Sequence, residues 1–154
     1  MRDIIFRGKR IDNGEWVQGY YAMYDPNSTG NNWIRAQQAS DPCILGDDKN
    51  WHEVDPETVG EFAGLLDKNG ARIFEGDIVE IEDQGIKPDG SIKTKYKYVV
   101  VYEDCSFTLK GNEDEDWTCH DICIGVMKSA TITVIGNIHD NPELVKKEIL
   151  EEIK

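Results

Sequence analysis

Cys119-His120-Asp121-Ile122-Cys123 is the segment of this sequence whose residue types come nearest to chemistry. Thiolates and an imidazole are good zinc ligands, and a C-x3-C spacing is within what a loop closes around one ion. No second ligand pair recurs at a regular spacing, so a complete site would need Cys43, Cys105, His52 or His139 to approach in space. Nothing in the sequence marks an oxidising compartment. The four cysteines are therefore expected as reduced thiols, and neither a metal nor a cofactor is assigned.

Carboxylates offer a second kind of chemistry. Asp67-Lys68-Asn69-Gly70, followed by Glu75-Gly76-Asp77, brings several acids close together in sequence, as a general acid/base or cation site requires. Asn-Gly and Gly-Asp are also what two tight β connections need, and the segment reads as turns. His139-Asp140 precedes the last element, where a polar side chain completes the hydrogen bonding of a junction. The sequence sets no nucleophile beside it, so no catalytic residue is assigned. P-loop, G-x-G-x-x-G, H-E-x-x-H and G-x-S-x-G motifs are all absent. Trp33, Trp51 and Trp117 lie in acidic, loop-rich stretches and are candidates for a recognition surface or an oligomer contact, whereas Trp16 reads as core.

The charge is uneven. Among 154 residues, 30 acids against 17 Lys and Arg leave -13. Residues 41–61 and 103–121 each hold seven acids and one base. Binding nucleic acid directly needs cations to neutralise phosphates, so that partner is excluded, while basic proteins remain open. No run of about 18 apolar residues exists to cross a membrane, and the first residues lack the apolar stretch of a signal sequence. A cytoplasmic protein is expected.

These residues must be positioned by β structure. Phe6–Ile11 and Trp16–Tyr21 flank Asp12-Asn13-Gly14-Glu15, an opening hairpin in which Asn-Gly suits a primed turn. Short strands are expected near Trp33–Ala36, Cys43–Gly46, Trp51–Val54, Val59–Leu66 and Arg72–Phe74. Ile78–Glu82 alternates with period two, with Ile78 and Glu80 on the face opposite Val79 and Ile81. Tyr96–Tyr102 is β-branched and aromatic, and Ser106–Lys110 pairs back against it. Ile122–Met127 and Ala130–Ile138 follow as strands, with an acidic turn at Gly111–Asp116. The last element is a helix with Asn141 as N-cap, Pro142 at its first position and a Val145, Ile149, Leu150, Ile153 stripe. The fold class is mainly β, an antiparallel barrel or sandwich with one C-terminal helix. The stretch from Val59 to Ile138 has the makings of a small SH3-like barrel. The chain is read as one unit: an N-terminal hairpin layer over 1–54, a barrel-like part over 55–140 and the helix over 141–154.

The run from Asp55 to Val79, which includes Gly60-Glu61-Phe62-Ala63-Gly64-Leu65-Leu66-Asp67 and Ile73-Phe74-Glu75-Gly76-Asp77-Ile78-Val79, resembles the signature of the YopX family of phage and prophage proteins. Val134-Ile135-Gly136-Asn137-Ile138-His139-Asp140-Asn141-Pro142-Glu143-Leu144, Phe6-Arg7-Gly8-Lys9-Arg10 and Gly14-Glu15-Trp16-Val17 match as well. Residues 22–50 and 110–130 match least. Glu61 and Ala63 stand where Gln and Thr are commoner in that family. The resemblance implies a mainly β, oligomeric protein of temperate phages or prophages, at work in the cytoplasm of a bacterial host, with no established activity. The expected function is a non-enzymatic protein-binding or assembly module whose partner is an unidentified host or phage protein. An acidic decoy resembling DNA, aimed at a host nucleic-acid-binding protein, is the alternative, ahead of a small-ligand binder or enzyme.

Overall fold

The computed structural model describes residues 3–23, 42–82, 95–111 and 131–153. Within them the chain is mainly β and antiparallel, and it divides into two compact units, residues 1–62 and 63–154. The expected strands at Trp33–Ala36 and Ile122–Met127, the acidic turn after Gly111 and the Cys119–Cys123 segment lie outside the described residues.

In the first unit, β1 (Phe6–Lys9), β2 (Trp16–Met23), β3 (Pro42–Gly46) and β4 (Trp51–Glu53) lie side by side in the order β4-β3-β2-β1, and β1 also pairs with the first residues of β5 (Gly60–Leu66). A bridge from Arg10 to Val54 brings the far end of β4 back to β1. Ile44 and Val54 are fully buried on the inner face. Gly8 lies beneath them, since a Cβ added there would stand 3.0 Å from Val54 Cβ and 3.3 Å from Ile44 Cδ1.

The opening hairpin forms where the sequence placed it, but its turn is different. Asn13 keeps a negative φ, and only Gly14 is left-handed at φ 72°. The loop is four residues long, closed by Gly14 N–H donating to Arg10 O and Arg10 N–H donating to Glu15 O. The second Asn-Gly behaves alike: Gly70 has φ 83°, and its N–H donates to Asp67 O. Three- and four-residue loops need one left-handed residue at the end, which Gly supplies, where a two-residue type I′ turn needs two. The two-residue turn with both central φ positive is at Asp104 (48°) and Cys105 (62°), between β8 and β9. Asp104 is a residue type that suits such a turn, whereas Cys105 is not.

The second unit centres on a four-stranded sheet in the order β10-β7-β8-β9, made of β7 (Asp77–Glu82), β8 (Tyr96–Glu103), β9 (Ser106–Gly111) and β10 (Thr131–Asn137). One face buries Val79, Ile81, Val100, Phe107 and Leu109 together with Ile73 of β6 (Arg72–Phe74) and the Ala63 and Leu65 side chains of β5. The other buries Ile78, Val99 and Val101 under Val145 and Ile149 of the C-terminal segment. Val99, Val100 and Val101 are thus buried in succession because both faces of β8 are covered. Strand alternation sends Ile132 and Val134 of β10 to the first core and Ile135 to the second, and the pairing with β7 shifts register between Val134 and Gly136.

The helix starts later than its sequence signals. Pro142–Leu144 is a single 3-10 turn with Asn141 at its N-cap position, and Val145 is extended at φ -126°. The α-helix, α1, spans Lys147–Glu152. Val145 and Ile149 still share one buried face with Leu150 and Ile153, so the apolar stripe is right although its first residue precedes the helix. Among the described residues no helix is long and apolar enough to cross a membrane.

Asp67 joins the β5–β6 hairpin to β10. Its side chain is only 7% exposed. Oδ1 accepts from Asn69 N–H (2.7 Å) and Ala71 N–H (2.9 Å), and Oδ2 from Val134 N–H (3.2 Å). Burial alone would push this carboxyl up, but the Ala71, Asn69 and Val134 amides together hold it below its ordinary value of 3.8. A depressed folded-state pKa gives stability that is complete above the unfolded value and lost as pH falls through the folded one. Equilibrium unfolding of Asp67→Ala is expected to show a loss of about 3 kcal/mol at pH 7. The difference from wild type should narrow as pH drops below 3.8. A difference that stayed constant from pH 7 to pH 2 would refute this role.

Candidate functional site

Polar side chains of the described residues meet at two joints, the second of which takes in Glu75–Asp77 and His139–Asp140 from the sequence candidates. In the first unit, Asp55 caps the 3-10 turn Pro56–Thr58 by accepting from Glu57 N–H. Buried Thr58 accepts from Lys9 N–H at 2.8 Å and donates to Asp55 O at 2.7 Å, while Asp55 N–H donates to Lys9 O. A hydroxyl is needed because one atom must both accept and donate there.

In the second unit, the Glu75-Gly76-Asp77 turn meets Gly136–Asn141. Gly76 N–H donates to Val100 O (2.8 Å), and Ile138 N–H donates to Gly76 O (2.9 Å). Asp77 is 1% exposed, and its Oδ2 accepts from Phe74 N–H at 2.8 Å, closing the turn. Asn137 Oδ1 accepts from both His139 N–H and Asp140 N–H, and its Nδ2 donates to Asp140 Oδ2. Asn141 N–H returns to Asn137 O. His139 is half-buried, and its Nε2 would lie 3.8 Å from a Cβ added at Gly76.

This arrangement draws its carboxylate and amide groups into binding backbone. Asp55, Asp67, Asp77 and Asn137 each take one or more main-chain N–H groups, so these side-chain oxygens are engaged in holding backbone. No group of three or more His, Cys, Asp or Glu side chains among the described residues is arranged to hold a metal ion. Cys43 is buried and Cys105 exposed. The turn reading of Asp67–Gly70 and Glu75–Asp77 fits these bonds.

The outer face of the first unit is different. Register places Tyr20 opposite Leu45 and Leu45 opposite Trp51, so the three side chains form one row across β2, β3 and β4. Tyr20 is 66% exposed and Trp51 40%, with Leu45 half-buried between them. Exposed Glu53 follows on the same face, two residues beyond Trp51. Further along, Arg7 lies 4.8 Å and Lys9 5.6 Å from the Trp16 ring, a stacking that leaves Trp16 half-buried instead of in the core. The turn before Trp51 is latched: Asp48 carboxylate oxygens receive Asn50 N–H and Nδ2 and meet His52 Nε2 at 2.9 Å. Asn50 foremost, with His52, holds the Asp48 carboxyl down at about 2. Sequence reasoning named Trp51 but missed Tyr20, which only the strand register brings beside it. Trp33 and Trp117 lie outside the described residues.

Two substitutions test the second joint. Gly76 has φ 78°, and a Cβ there meets Ile138 at an ordinary 3.6 Å, so Gly76→Ala is expected to lose about 1–2 kcal/mol through backbone strain alone. A Cβ at Gly136 would stand 2.5 Å from Asn141 Oδ1 and 3.1 Å from its Cβ. Gly136→Ala should therefore cost about 1–3 kcal/mol by displacing the Asn141 loop. Asn141→Gly should relieve the second substitution and not the first in a double-mutant unfolding cycle. Equal rescue of both would refute the assignment.

The fold has a solved counterpart. The crystal structure of protein EF1440 from Enterococcus faecalis superimposes with a TM-score of 0.51 at 22% identity, over 95% of this chain and 100% of that one, a likeness of fold alone. No curated protein matches the chain. The YopX protein family model matches residues 5–146, which takes in both joints and the aromatic face. The chain belongs to the YopX family.

Proposed function

We propose that this protein is a non-enzymatic binding or assembly module of a phage or prophage, acting in the bacterial cytoplasm, and that the outer face of its first unit is where another protein docks. The exposed Tyr20–Leu45–Trp51 row carries the reading. Large aromatics supply most of the energy at protein interfaces, and a row of them on a sheet's outer face is costly to leave in water. The use of Asp55, Asp67, Asp77 and Asn137 as backbone acceptors agrees with a scaffold role. Self-association is part of the proposal, as an oligomeric scaffold presents several such faces at once.

A second reading, the acidic decoy, draws on Asp47, Asp48, Glu53, Asp55 and Glu57, all exposed in the first unit. It demands that a nucleic-acid-binding protein be the partner and that salt release it.

Affinity purification of the tagged full chain from its bacterial host, beside a Tyr20→Ser/Trp51→Ser double variant, tests the module. The wild type is expected to retain a partner through high salt and the variant to lose it, with thermal midpoints within about 5 °C of each other because both positions are exposed. Identical retention by the two proteins would overturn the docking face. Turnover of a nucleotide or ester panel that one point substitution abolished would overturn the non-enzymatic reading.

A further inference from the structure

Asn-Gly occurs twice in the chain, at Asn13-Gly14 and Asn69-Gly70. It is the dipeptide in which an asparagine amide is most readily lost, because glycine has no Cβ to shield its nitrogen from the preceding side-chain carbon. Both pairs are exposed, and both nucleophiles are restrained alike: Gly14 N–H donates to Arg10 O at 2.9 Å and Gly70 N–H to Asp67 O at 3.0 Å. The difference between them lies in the electrophile.

At the first pair, Glu15 N–H donates to Asn13 Oδ1 and Asn13 Nδ2 donates to Glu15 Oε2, each at 2.9 Å. A main-chain N–H only donates and a carboxylate only accepts, so the two bonds fix which way the amide faces. Negative charge gathers on Oδ1 as the amide carbon becomes tetrahedral, and that oxygen already has its donor. The bond also spans residues 13 to 15, curling the side chain past the Gly14 amide. At the second pair the side chain turns the other way. Asn69 Nδ2 reaches back to Asp67 Oδ2 at 3.4 Å, and Asn69 N–H donates to Asp67 Oδ1. Ala71 N–H, which corresponds to the Glu15 N–H, donates to Asp67 Oδ1 as well. Charge developing on the Asn69 amide would therefore arise beside a carboxylate, with the Ala71 donor already engaged.

We propose that Asn13 is a site of spontaneous deamidation and that the fold directs the reaction there and spares Asn69. The Gly14 nitrogen loses its proton to solvent base and bonds to Asn13 Cγ. The Cγ–Nδ2 bond then breaks, the nitrogen leaves as ammonia after taking one proton from water, and a succinimide closes. Water opens the ring at either carbonyl, giving aspartate or isoaspartate at position 13, with no oxidant or reductant involved. Either product adds a negative charge between Asp12 and Glu15, and isoaspartate also lengthens the main chain of the β1–β2 loop by one carbon.

The full chain is held at pH 8.5 and 37 °C, in buffer and in 8 M urea, and deamidation at each asparagine is followed over days by peptide mass spectrometry. In buffer Asn13 is expected to react about fivefold faster than Asn69, the advantage that one ordinary hydrogen bond supplies, and in urea the two rates should agree within about twofold. Glu15→Pro, which removes the donating N–H, should slow Asn13 about fivefold in buffer relative to its own rate in urea, whereas Glu15→Gln, which keeps it, should change the rate less than about twofold. Circular dichroism checks that each variant is folded, and the wild-type comparison of buffer with urea decides the matter if Glu15→Pro is not. An Asn13-to-Asn69 ratio that is the same in buffer and in urea, faster loss at Asn69 in buffer, or an unchanged Asn13 rate in folded Glu15→Pro would each overturn the proposal.

Discussion

A carboxylate enclosed in protein must have its oxygens filled by donors, and that constraint organises the second unit around Asp67. Its two oxygens take three backbone amides from two places, the turn it starts and Val134 of β10. A turn stabilised only within itself would leave the β5–β6 hairpin free to slide over the sheet. The bond to Val134, with Lys68 N–H donating to Ile132 O, fixes where the hairpin lands. That placement sets Ala63, Leu65 and Ile73 over Val79, Ile81, Val100 and Leu109. An apolar contact would hold the layer as firmly but would specify its position less well, since hydrophobic packing is non-directional.

The opposite face depends on a similar pairing of direction and packing. Gly76 accepts from Ile138 N–H and donates to Val100 O, so the β6–β7 turn, β8 and the segment after β10 meet at one residue with no side chain. Asn137 then folds the chain into a compact corner, its side chain accepting from His139 and Asp140 N–H and its carbonyl from Asn141 N–H. The chain leaves that corner aimed so that Val145 and Ile149 reach Val99 and Val101. A six-residue helix has little stability of its own, and burial of its apolar stripe holds it.

Strand positions were legible in the sequence because their signal is local. Period-two alternation in Ile78–Glu82 and the β-branched run at Tyr98–Val101 need no knowledge of partners. Turn geometry was less legible: Asn-Gly permits more than one loop, and the length of the flanking pairings decides which forms. The Asp104–Cys105 primed turn was legible only as the return of Ser106–Lys110 against Tyr96–Tyr102, since Asp104 suits a positive φ but Cys105 takes one only because the register of β8 against β9 imposes it. The helix start was misplaced for a related reason. Asn141-Pro142-Glu143 is a sound initiation signal, but Asn141 Oδ1 points back to Asn137 N–H, and Val145 extends to reach the core. The Tyr20–Trp51 row was invisible for the plainest reason, since the two residues are 31 positions apart in sequence and only strand register aligns them.

The division of labour between scaffold and surface bears on what family membership means here. Asp55, Thr58, Asp67, Gly76, Asp77, Gly136 and Asn137 all belong to the segments that carry the YopX resemblance, and each is accounted for by a backbone bond or a close approach. Tyr20, Leu45 and Trp51 belong to none of those segments, and Leu45 falls in the stretch that resembles the family least. Residues engaged at joints specify a fold, whereas the outer strands' exposed side chains are not held by any such bond to a joint. The family match therefore identifies the framework, while what the outer strands present must be read from this chain's own exposed residues.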